Sequence, residues 1–344
     1  MVLPLFFIAF LLGLLGSLLV LRFFPKLGLM DRPERYGYKR AAVPYPAGVA
    51  PVMVIFFLLL AFLPWDRSLF LILLGAALIF TTSFWDDRRG LPPFLRLGVQ
   101  VLAALCLVAA GLGISSLSNP FGAPFILDAW QIPFQIGTWN FTFTPFADVL
   151  TILWVVVLVN AFNWIDGVAG MVNGVTIASS AIILLLSLKA DFHSVDQTMV
   201  IVLSTVVLGS AVALFPFNFP PARALLGDTG SMTFGFLVAT MAIASGGKIA
   251  TTALVLSFPL LDFAWVILRR WWTGQSIFKG DLAHFHHRLM NRGLSERQVV
   301  IFFTFASALF GCLALLLHTQ GKVWAFIGIG CFMSLLALFL VFRK

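Results

Sequence analysis

Apolar runs close to twenty residues long recur along the whole chain and alternate with short polar breaks. A helix needs roughly 20 apolar residues to cross the hydrocarbon of a bilayer, so each run is a candidate membrane span. With 60% apolar residues, 37 Phe and a mean hydropathy of +1.02, the composition lies far from that of a soluble globular domain. The sequence therefore predicts an all-α, polytopic membrane protein that forms one domain over residues 1–344. About eleven transmembrane helices are predicted, near residues 3–23, 47–64, 68–85, 94–113, 146–163, 170–188, 197–214, 230–246, 249–268, 297–317 and 324–342.

The basic residues are distributed unevenly among the polar breaks. When the N-terminus is placed outside, all of the 22 Lys and Arg residues except Arg67, Lys189, Lys248 and Lys322 fall on the inner side. Cytoplasmic loops of membrane proteins carry such an excess, so we expect the N-terminus outside and the C-terminus in the cytoplasm. The formal net charge of +8 then lies on the cytoplasmic face. This charge indicates an anionic membrane surface or phosphate ligands rather than nucleic acid.

The longest outer connection, residues 114–145, contains the stretch IPFQIGTWNFTFTP. Three aromatic residues alternate there with polar ones, across from a turn that contains glycine. Because alternation with a period of two is typical of a strand, the stretch predicts a small β-hairpin near residues 130–145, at the outer interface.

Two groups of acidic residues stand at the inner ends of predicted helices. Asp86 and Asp87 are adjacent and are followed at once by Arg88 and Arg89. Adjacent carboxylates repel each other unless a cation or a shared proton relieves them, so such pairs attract hard metal ions. Asp228 lies in a GDTGS run before the eighth helix, where a carboxylate and backbone N–H groups suit Mg²⁺ with phosphate. The alternatives are a solvated helix end for the pair and a simple helix cap for Asp228.

Polar residues also close the fifth predicted helix. Asn160, Asn163 and Asp166 follow one another at intervals of three, which places them along one helical stripe. Such a stripe can bind the edge of a base or sugar, or it can join neighbouring helices by hydrogen bonds. An acid in apolar surroundings is costly, which favours a functional role for Asp166.

Three of the five histidines, His284, His286 and His287, fall within the stretch GDLAHFHHRL. At about 100° per residue they cannot all project from one helix face, so we expect a turn that wraps a ligand. Together with Arg288 they could clamp a diphosphate. The alternative is a zinc site, although no thiolate lies near in the sequence.

Together and in this order, the motifs resemble the polyprenyl-phosphate N-acetylhexosamine-1-phosphate transferases. The relevant members start O-antigen, enterobacterial common antigen and teichoic acid synthesis, and the muramyl-pentapeptide transferase is a more distant relative. The HxHHR form is similar to the common-antigen and teichoic-acid branch. The resemblance covers almost the whole chain and is carried by DRP and PYPAG within 31–48, DDRRGLPPFLRLGVQ at 86–100, NAFNWIDG at 160–167, NFPPAR and GDTGS at 218–231, PLLD at 259–262 and DLAHFHHRLMNRG at 281–293.

The resemblance implies a bacterial enzyme of the cytoplasmic (inner) membrane, with its active site on the cytoplasmic face and a homodimer as one option for its assembly. It implies transfer of a sugar-1-phosphate, with N-acetylglucosamine or a 6-deoxy amino sugar as examples, from a UDP-sugar to undecaprenyl phosphate with release of UMP. This is the first membrane step of cell-surface polysaccharide synthesis. The cofactor implied is Mg²⁺, with Mn²⁺ as an alternative. The implied roles are metal ligation by Asp228, metal contact and catalysis by Asp86 and Asp87, nucleotide binding by Asn163, Asp166 and Asn218, and binding of diphosphate or sugar by His284, His286, His287 and Arg288.

The sequence departs from the family pattern in two places. The DGxDG motif after the fifth helix has Ala169 where the second acid is usual. The early segment has Tyr36-Gly37-Tyr38 before Lys39 in place of the family's RKxH pattern. Two alternatives therefore accompany the transferase hypothesis: a catalytically silent paralogue, and a secondary transporter with intramembrane carboxylates.

Overall fold

The chain folds almost entirely into helices. The computed structural model describes residues 1–36, 41–117, 119, 121–189, 196–246, 248–275 and 284–342. Its helices are α1 (Val2–Phe23), α2 (Val49–Phe62), α3 (Arg67–Arg89), α4 (Pro93–Ala109), α5 (Pro145–Ile165), α6 (Met171–Ser187), α7 (Thr198–Asn218), α8 (Gly227–Ala244), α9 (Ile249–Val255), α10 (Ser257–Trp272), α11 (Phe285–Asn291), α12 (Glu296–Leu316) and α13 (Thr319–Phe342).

Every apolar run singled out in the sequence is helical. Among the described residues, α1, α3, α5, α7 and α12 are long and apolar enough to cross a membrane, and α9 with α10 makes a sixth candidate if that bent pair is one span. Helices α2, α4 and α6 are apolar but shorter. A polytopic helical membrane protein is thus confirmed, while eleven spans and the sidedness of the termini stay predictions.

The ninth predicted span, residues 249–268, is divided into two helices. Helices α9 and α10 meet at an angle of 83°. Pro259 lies in the first turn of α10, where its missing N–H costs nothing. In an unbroken helix the same ring would clash with the carbonyl of Val255 and leave it without a donor. The expectation of one continuous helix there is therefore wrong.

Helix α8 is the centre of the bundle, packed between α3 and α5. All of its residues are buried except Asp228, which stands at its first turn. Two threonines inside this helix donate to its own backbone: Thr233 to the carbonyl of Thr229 at 2.6 Å and Thr240 to that of Phe236 at 2.8 Å. The central helix therefore presents one carboxylate at its end and is otherwise enclosed by protein.

A small hairpin connects α4 to α5, as the sequence predicted. Strand β3 (Ile132–Ile136) pairs antiparallel with β4 (Trp139–Phe143) across a two-residue turn. Gly137 begins that turn with φ +60°, a conformation that glycine adopts without steric cost. A shorter pair, Ser116–Leu117 with Phe125–Ile126, precedes the hairpin and was not expected from the sequence.

Candidate active site

Asp87, at the last turn of α3, holds the N-terminus of α8. Its two carboxylate oxygens accept four hydrogen bonds: from the Tyr45 hydroxyl, from the Thr229 hydroxyl and from the backbone N–H groups of Asp228 and Thr229, the last two at 2.9 Å. A carboxylate also suits the positive end of the helix dipole. Asp87 therefore fixes the position of Asp228.

Tyr45 reaches Asp87 because two loops pair along their backbones. Ala47 N–H donates to the carbonyl of Leu225 at 2.7 Å, and Gly48 N–H donates to that of Leu226 at 2.9 Å. A Cβ on Gly48 would lie only 2.4 Å from Gly230 Cα, so this approach requires glycine. Burial and the Asp87 charge raise the pKa of Tyr45, so the phenol keeps the proton that it donates.

Arg96 in α4 joins the acids of α3 and α8. Its guanidinium lies 2.8 Å from Asp86 Oδ2 and 3.3 Å from Asp228 Oδ2. It also donates to Asn163 Oδ1 at 3.0 Å, while Asn163 Nδ2 donates to Asp228 Oδ1 at 2.8 Å. Side chains from three motifs that are far apart in sequence, at 86–100, 160–167 and 227–231, thus meet around one guanidinium. We call Asp86, Asp87, Arg96, Asn163 and Asp228 the acid cluster.

Asp166 adds a further acidic group beside the acid cluster. It follows α5 directly and ends that helix. Burial, then the charges of Asp228 and Asp87, raise the pKa of the Asp166 carboxyl well above its usual range. The acidic groups of Asp166, Asp228 and Asp87 therefore interact electrostatically.

Two of the predicted polar residues brace the structure instead of facing the acids. Asn160 exchanges hydrogen bonds with Gln100 of α4, the shorter at 2.6 Å. Asn218 is buried and uses both ends of its amide: the Gly170 N–H donates to it at 2.9 Å, and it donates to the Ala224 carbonyl at 3.0 Å. Nucleotide binding by Asn218 stays a prediction, and its contacts in the structure are with backbone.

The histidines lie at and within α11, and Asp262 of α10 anchors them. One oxygen of Asp262 is 3.0 Å from His284 Nδ1, and the other accepts the Phe285 N–H at 2.8 Å. His284 precedes the helix, whereas His286 and His287 belong to it. The expectation of a turn through all three histidines is therefore wrong from residue 285 onward, because the Asp262 carboxylate accepts the first N–H of a helix there.

His286 and His287 pack against Gly167, the residue that follows Asp166. A Cβ on Gly167 would lie 2.7 Å from His286 Nε2 and 3.4 Å from His287 Nε2. His286 is completely buried, and neither of its ring nitrogens has a hydrogen-bond partner in the described structure. Burial, then the neighbouring His287 and His284, lower the pKa of His286 well below its usual range. A neutral imidazole is thus held against Gly167.

Arg288 stands apart from this contact. It lines a cavity of about 100 Å³ between α10, α11 and α13, together with Asp262 and Trp265. Residues 281–283 of the DLAHFHHRL motif lie outside the described residues.

Sequence reasoning missed four participants: Arg96, Tyr45, Thr229 and Asp262. Each lies inside a motif quoted for the resemblance or next to one, yet none was assigned a role. Arg96 could have been found from the sequence, since it is a cation in the first turn of a predicted span and lies at the same membrane face as the acids. Asp262 gave another, since it is an acid within an apolar run, where it is costly unless paired.

The chemistry of the acid cluster fits a hard divalent cation. Asp86 and Asp228 both contact the Arg96 guanidinium, and two carboxylates brought this close to each other favour a bound cation. Among the described residues, no three His, Cys, Asp or Glu side chains are grouped so as to hold one ion. Mg²⁺ usually takes one or two carboxylates, with water and substrate phosphates completing its shell, so a pair suffices. A zinc cage would need three or four protein ligands.

The fold and the site define a polytopic helical membrane protein with an acid cluster at one end of its spans. Residues 69–246, more than half of the chain, match the model of Glycosyl transferase family 4, and the chain belongs to that family. The resemblance to polyprenyl-phosphate hexosamine-1-phosphate transferases is thereby confirmed.

Three relatives illustrate the similarity. The "Probable undecaprenyl-phosphate N-acetylglucosaminyl 1-phosphate transferase" of Bacillus subtilis (strain 168) is 27% identical over 328 residues, covering 92% of this chain and 86% of the relative. The "Undecaprenyl-phosphate alpha-N-acetylglucosaminyl 1-phosphate transferase" of Yersinia pestis is 27% identical, covering 83% and 75%. The "Decaprenyl-phosphate N-acetylglucosaminephosphotransferase" of Mycobacterium leprae (strain TN) is 31% identical, covering 67% of this chain and 60% of the relative.

Proposed function

We propose that this protein transfers an N-acetylhexosamine-1-phosphate from its UDP-sugar to undecaprenyl phosphate, releasing UMP. The observation that carries the proposal is the convergence of Asp86, Asp228 and Asn163 on Arg96 at one end of the spanning helices. Family membership supports it, and the three relatives described above are named as polyprenyl-phosphate N-acetylglucosamine-1-phosphate transferases.

In this reaction an oxygen of the lipid phosphate attacks the sugar-bearing phosphorus of the UDP-sugar. The bond from that phosphorus to the bridging oxygen breaks, and the oxygen leaves with UMP. Both reactants are anionic, so their approach requires compensating positive charge. Mg²⁺, or Mn²⁺ in its place, would be held by Asp86 and Asp228 and would supply that charge to the phosphates when bound.

The residues divide into those that touch substrate and those that position them. Asp87 accepts four hydrogen bonds, which leaves it to hold Asp228 in place, whereas Asp86 and Asp228 would hold the cation. Asn163, Asp166 and Asn218 would contact the nucleotide. His284, His286, His287 and Arg288 would bind the diphosphate or sugar.

The place of the acid cluster in the fold favours a lipid acceptor. Asp86 and Asp87 are at the end of α3, and Asp228 begins α8. Helix ends of a membrane protein lie at the interface, where the phosphate of a polyprenyl carrier also lies. A transporter would instead place its carboxylates in broken helices near the bilayer midplane. We place the site at the cytoplasmic face of a bacterial inner membrane, in a monomer or a homodimer.

The test is release of UMP by the purified protein from a panel of UDP-amino sugars, with undecaprenyl phosphate and Mg²⁺ present. Asp228→Asn should abolish turnover because it removes a carboxylate from the pair. Asp196→Asn is the matched control, since Asp196 is an exposed acid that caps α7 at the other end of the bundle. If the protein binds UDP-sugars but releases no UMP from any of them, it is a catalytically silent paralogue. Ala169, which replaces the usual second acid of the DGxDG motif, is the reason to consider this alternative.

A further inference from the structure

The hairpin between α4 and α5 has one apolar and one polar face. Directly paired residues share a face, so one face carries the pairs Ile132–Phe143 and Phe134–Phe141, with Trp139 next to them. The opposite face carries Pro133–Thr142 and Gln135–Asn140. The rings of Phe134 and Phe141 stack with their centroids 5.3 Å apart. The hairpin is thus an amphipathic element with a continuous aromatic side.

This hairpin lies at the membrane face opposite the acid cluster. Arg67, the first residue of α3, donates to the Asn140 carbonyl at 2.7 Å and lies over the ring of Phe141. Asp87 is twenty residues further along the same helix. At 1.5 Å per residue the two ends are about 30 Å apart, which is the thickness of the hydrocarbon layer.

The aromatic side is exposed although the bundle below it is closely packed. Phe134 is 45% exposed and Phe143 is 42% exposed. The apolar surface continues onto α5, where Phe146 and Val149 are exposed on a helix long and apolar enough to span the membrane. Trp130 joins the two surfaces, since its ring lies 6.4 Å from that of Phe146.

The segment also carries very little charge for an exposed connection. From Gly113 to Thr144 the sequence contains one charged residue, Asp128. A segment rich in Trp and other aromatic residues and poor in charged ones is typical of the belt where a membrane protein meets the lipid headgroups. An exposed apolar face on a loop that projected into water would instead be costly and prone to association.

We propose that the aromatic side of the hairpin inserts into the headgroup region of the leaflet opposite the acid cluster, as an anchor for the outer ends of α3, α4 and α5. The occupant of this surface is lipid, because the surface is continuous with the lipid-facing side of α5. The inference goes beyond the proposed reaction and does not depend on it.

The experiment compares neighbouring residues that point to opposite faces. A variant with Cys106, Cys312 and Cys331 replaced by Ala receives single cysteines as Phe134→Cys or Gln135→Cys, and a nitroxide label is attached. A second pair, Phe143→Cys and Thr142→Cys, repeats the comparison on β4. The labelled proteins are reconstituted in phosphatidylcholine and phosphatidylglycerol vesicles, with a nickel chelate on both sides.

Oxygen concentrates in lipid and the nickel chelate stays in water. Relaxation of the nitroxide by oxygen therefore reports a lipid environment, and relaxation by nickel reports an aqueous one. We expect a several-fold higher ratio of oxygen to nickel accessibility at 134 and 143 than at 135 and 142. High nickel accessibility at all four positions would show a hairpin in water and overturn the proposal. Protection from both agents at 134 and 143 would also overturn it, because a protein surface would then cover them. Thermal unfolding of each labelled variant in detergent verifies the fold.

Discussion

Arg96 contacts Asp228 at 3.3 Å while holding Asp86 at 2.8 Å with its other amino group. Its side chain is 24% exposed and that of Asp86 is 7% exposed, so the interaction is partly shielded from solvent. One cation therefore bridges two carboxylates that would otherwise repel each other. This arrangement makes α4 part of the site, and it motivates the first prediction.

Arg96→Gln should lower UMP release by about 10- to 100-fold, the usual cost of removing a residue that orients the groups around a metal site. The substitution leaves Asp86 and Asp228 without their shared cation. Arg89→Gln is the matched control, because Arg89 lies on the same side of the membrane but over the ring of Trp85. Equal activity in the two variants would remove Arg96 from the site.

Mg²⁺ should stabilise the resting protein as well as support turnover. A cation bound between Asp86 and Asp228 relieves their repulsion, and a ligand at a hundred times its Kd adds about 2.7 kcal/mol to the free energy of unfolding. We expect the thermal midpoint in detergent to rise with Mg²⁺ and to fall back with EDTA. In Asp228→Asn the rise should disappear, and in Asp196→Asn it should persist. A rise of equal size in both variants would place the cation elsewhere.

Gly167→Ala should destabilise the protein by about 1–3 kcal/mol, the usual cost of overpacking. The new methyl group would meet His286 Nε2 at 2.7 Å, and His286 is buried against its neighbouring histidines. Gly98→Ala is the control, since a Cβ there meets nothing within 4 Å. Adding His286→Ala to Gly167→Ala should restore the thermal midpoint to that of His286→Ala alone. Failure of this rescue would contradict the contact.

Asp262→Asn should raise the KM for the UDP-sugar, because His284 and the start of α11 lose the carboxylate that orients them. Asp262→Ala should be worse, since it leaves the buried Phe285 N–H without an acceptor at a cost of about 1–3 kcal/mol. Asp148→Asn is a matched control: Asp148 is a buried acid that accepts two hydrogen bonds from Thr144 at the hairpin end of α5. Steady-state kinetics should show the KM change for Asp262 alone.

The length of the apolar runs predicted the helices well. Each run is bounded by polar residues, so its helix can be recognised from local sequence without knowing what it packs against. The hairpin could be predicted equally well, since Gly137 and the alternation of apolar and polar residues on both sides of it are local signals. The break between α9 and α10 was missed, although Pro259 marks it. A proline in an apolar run ends one helix or sits in the first turn of the next, and packing decides between the two.

The site could be predicted only in part. Asp86, Asp87 and Asp228 were singled out, since carboxylates at the ends of apolar helices are costly and therefore conspicuous. Their partners were not, because the contact of Arg96 with Asp228 joins residues 132 positions apart and depends on how α4 packs. The contact of His284 with Asp262 was missed for the same reason, since it depends on how α10 and α11 pack and no local sequence pattern specifies it.

The backbone pairing of the Tyr45 loop with the loop before α8 has a consequence for how this protein can change. Ala47 and Gly48 are joined to Leu225 and Leu226 by main-chain hydrogen bonds. Such bonds do not depend on side-chain identity, so the pairing itself can persist through substitutions that keep the glycines and Tyr45, whose hydroxyl binds Asp87. A preference for a different UDP-sugar can therefore arise through substitutions around the acid cluster while the acids keep their positions.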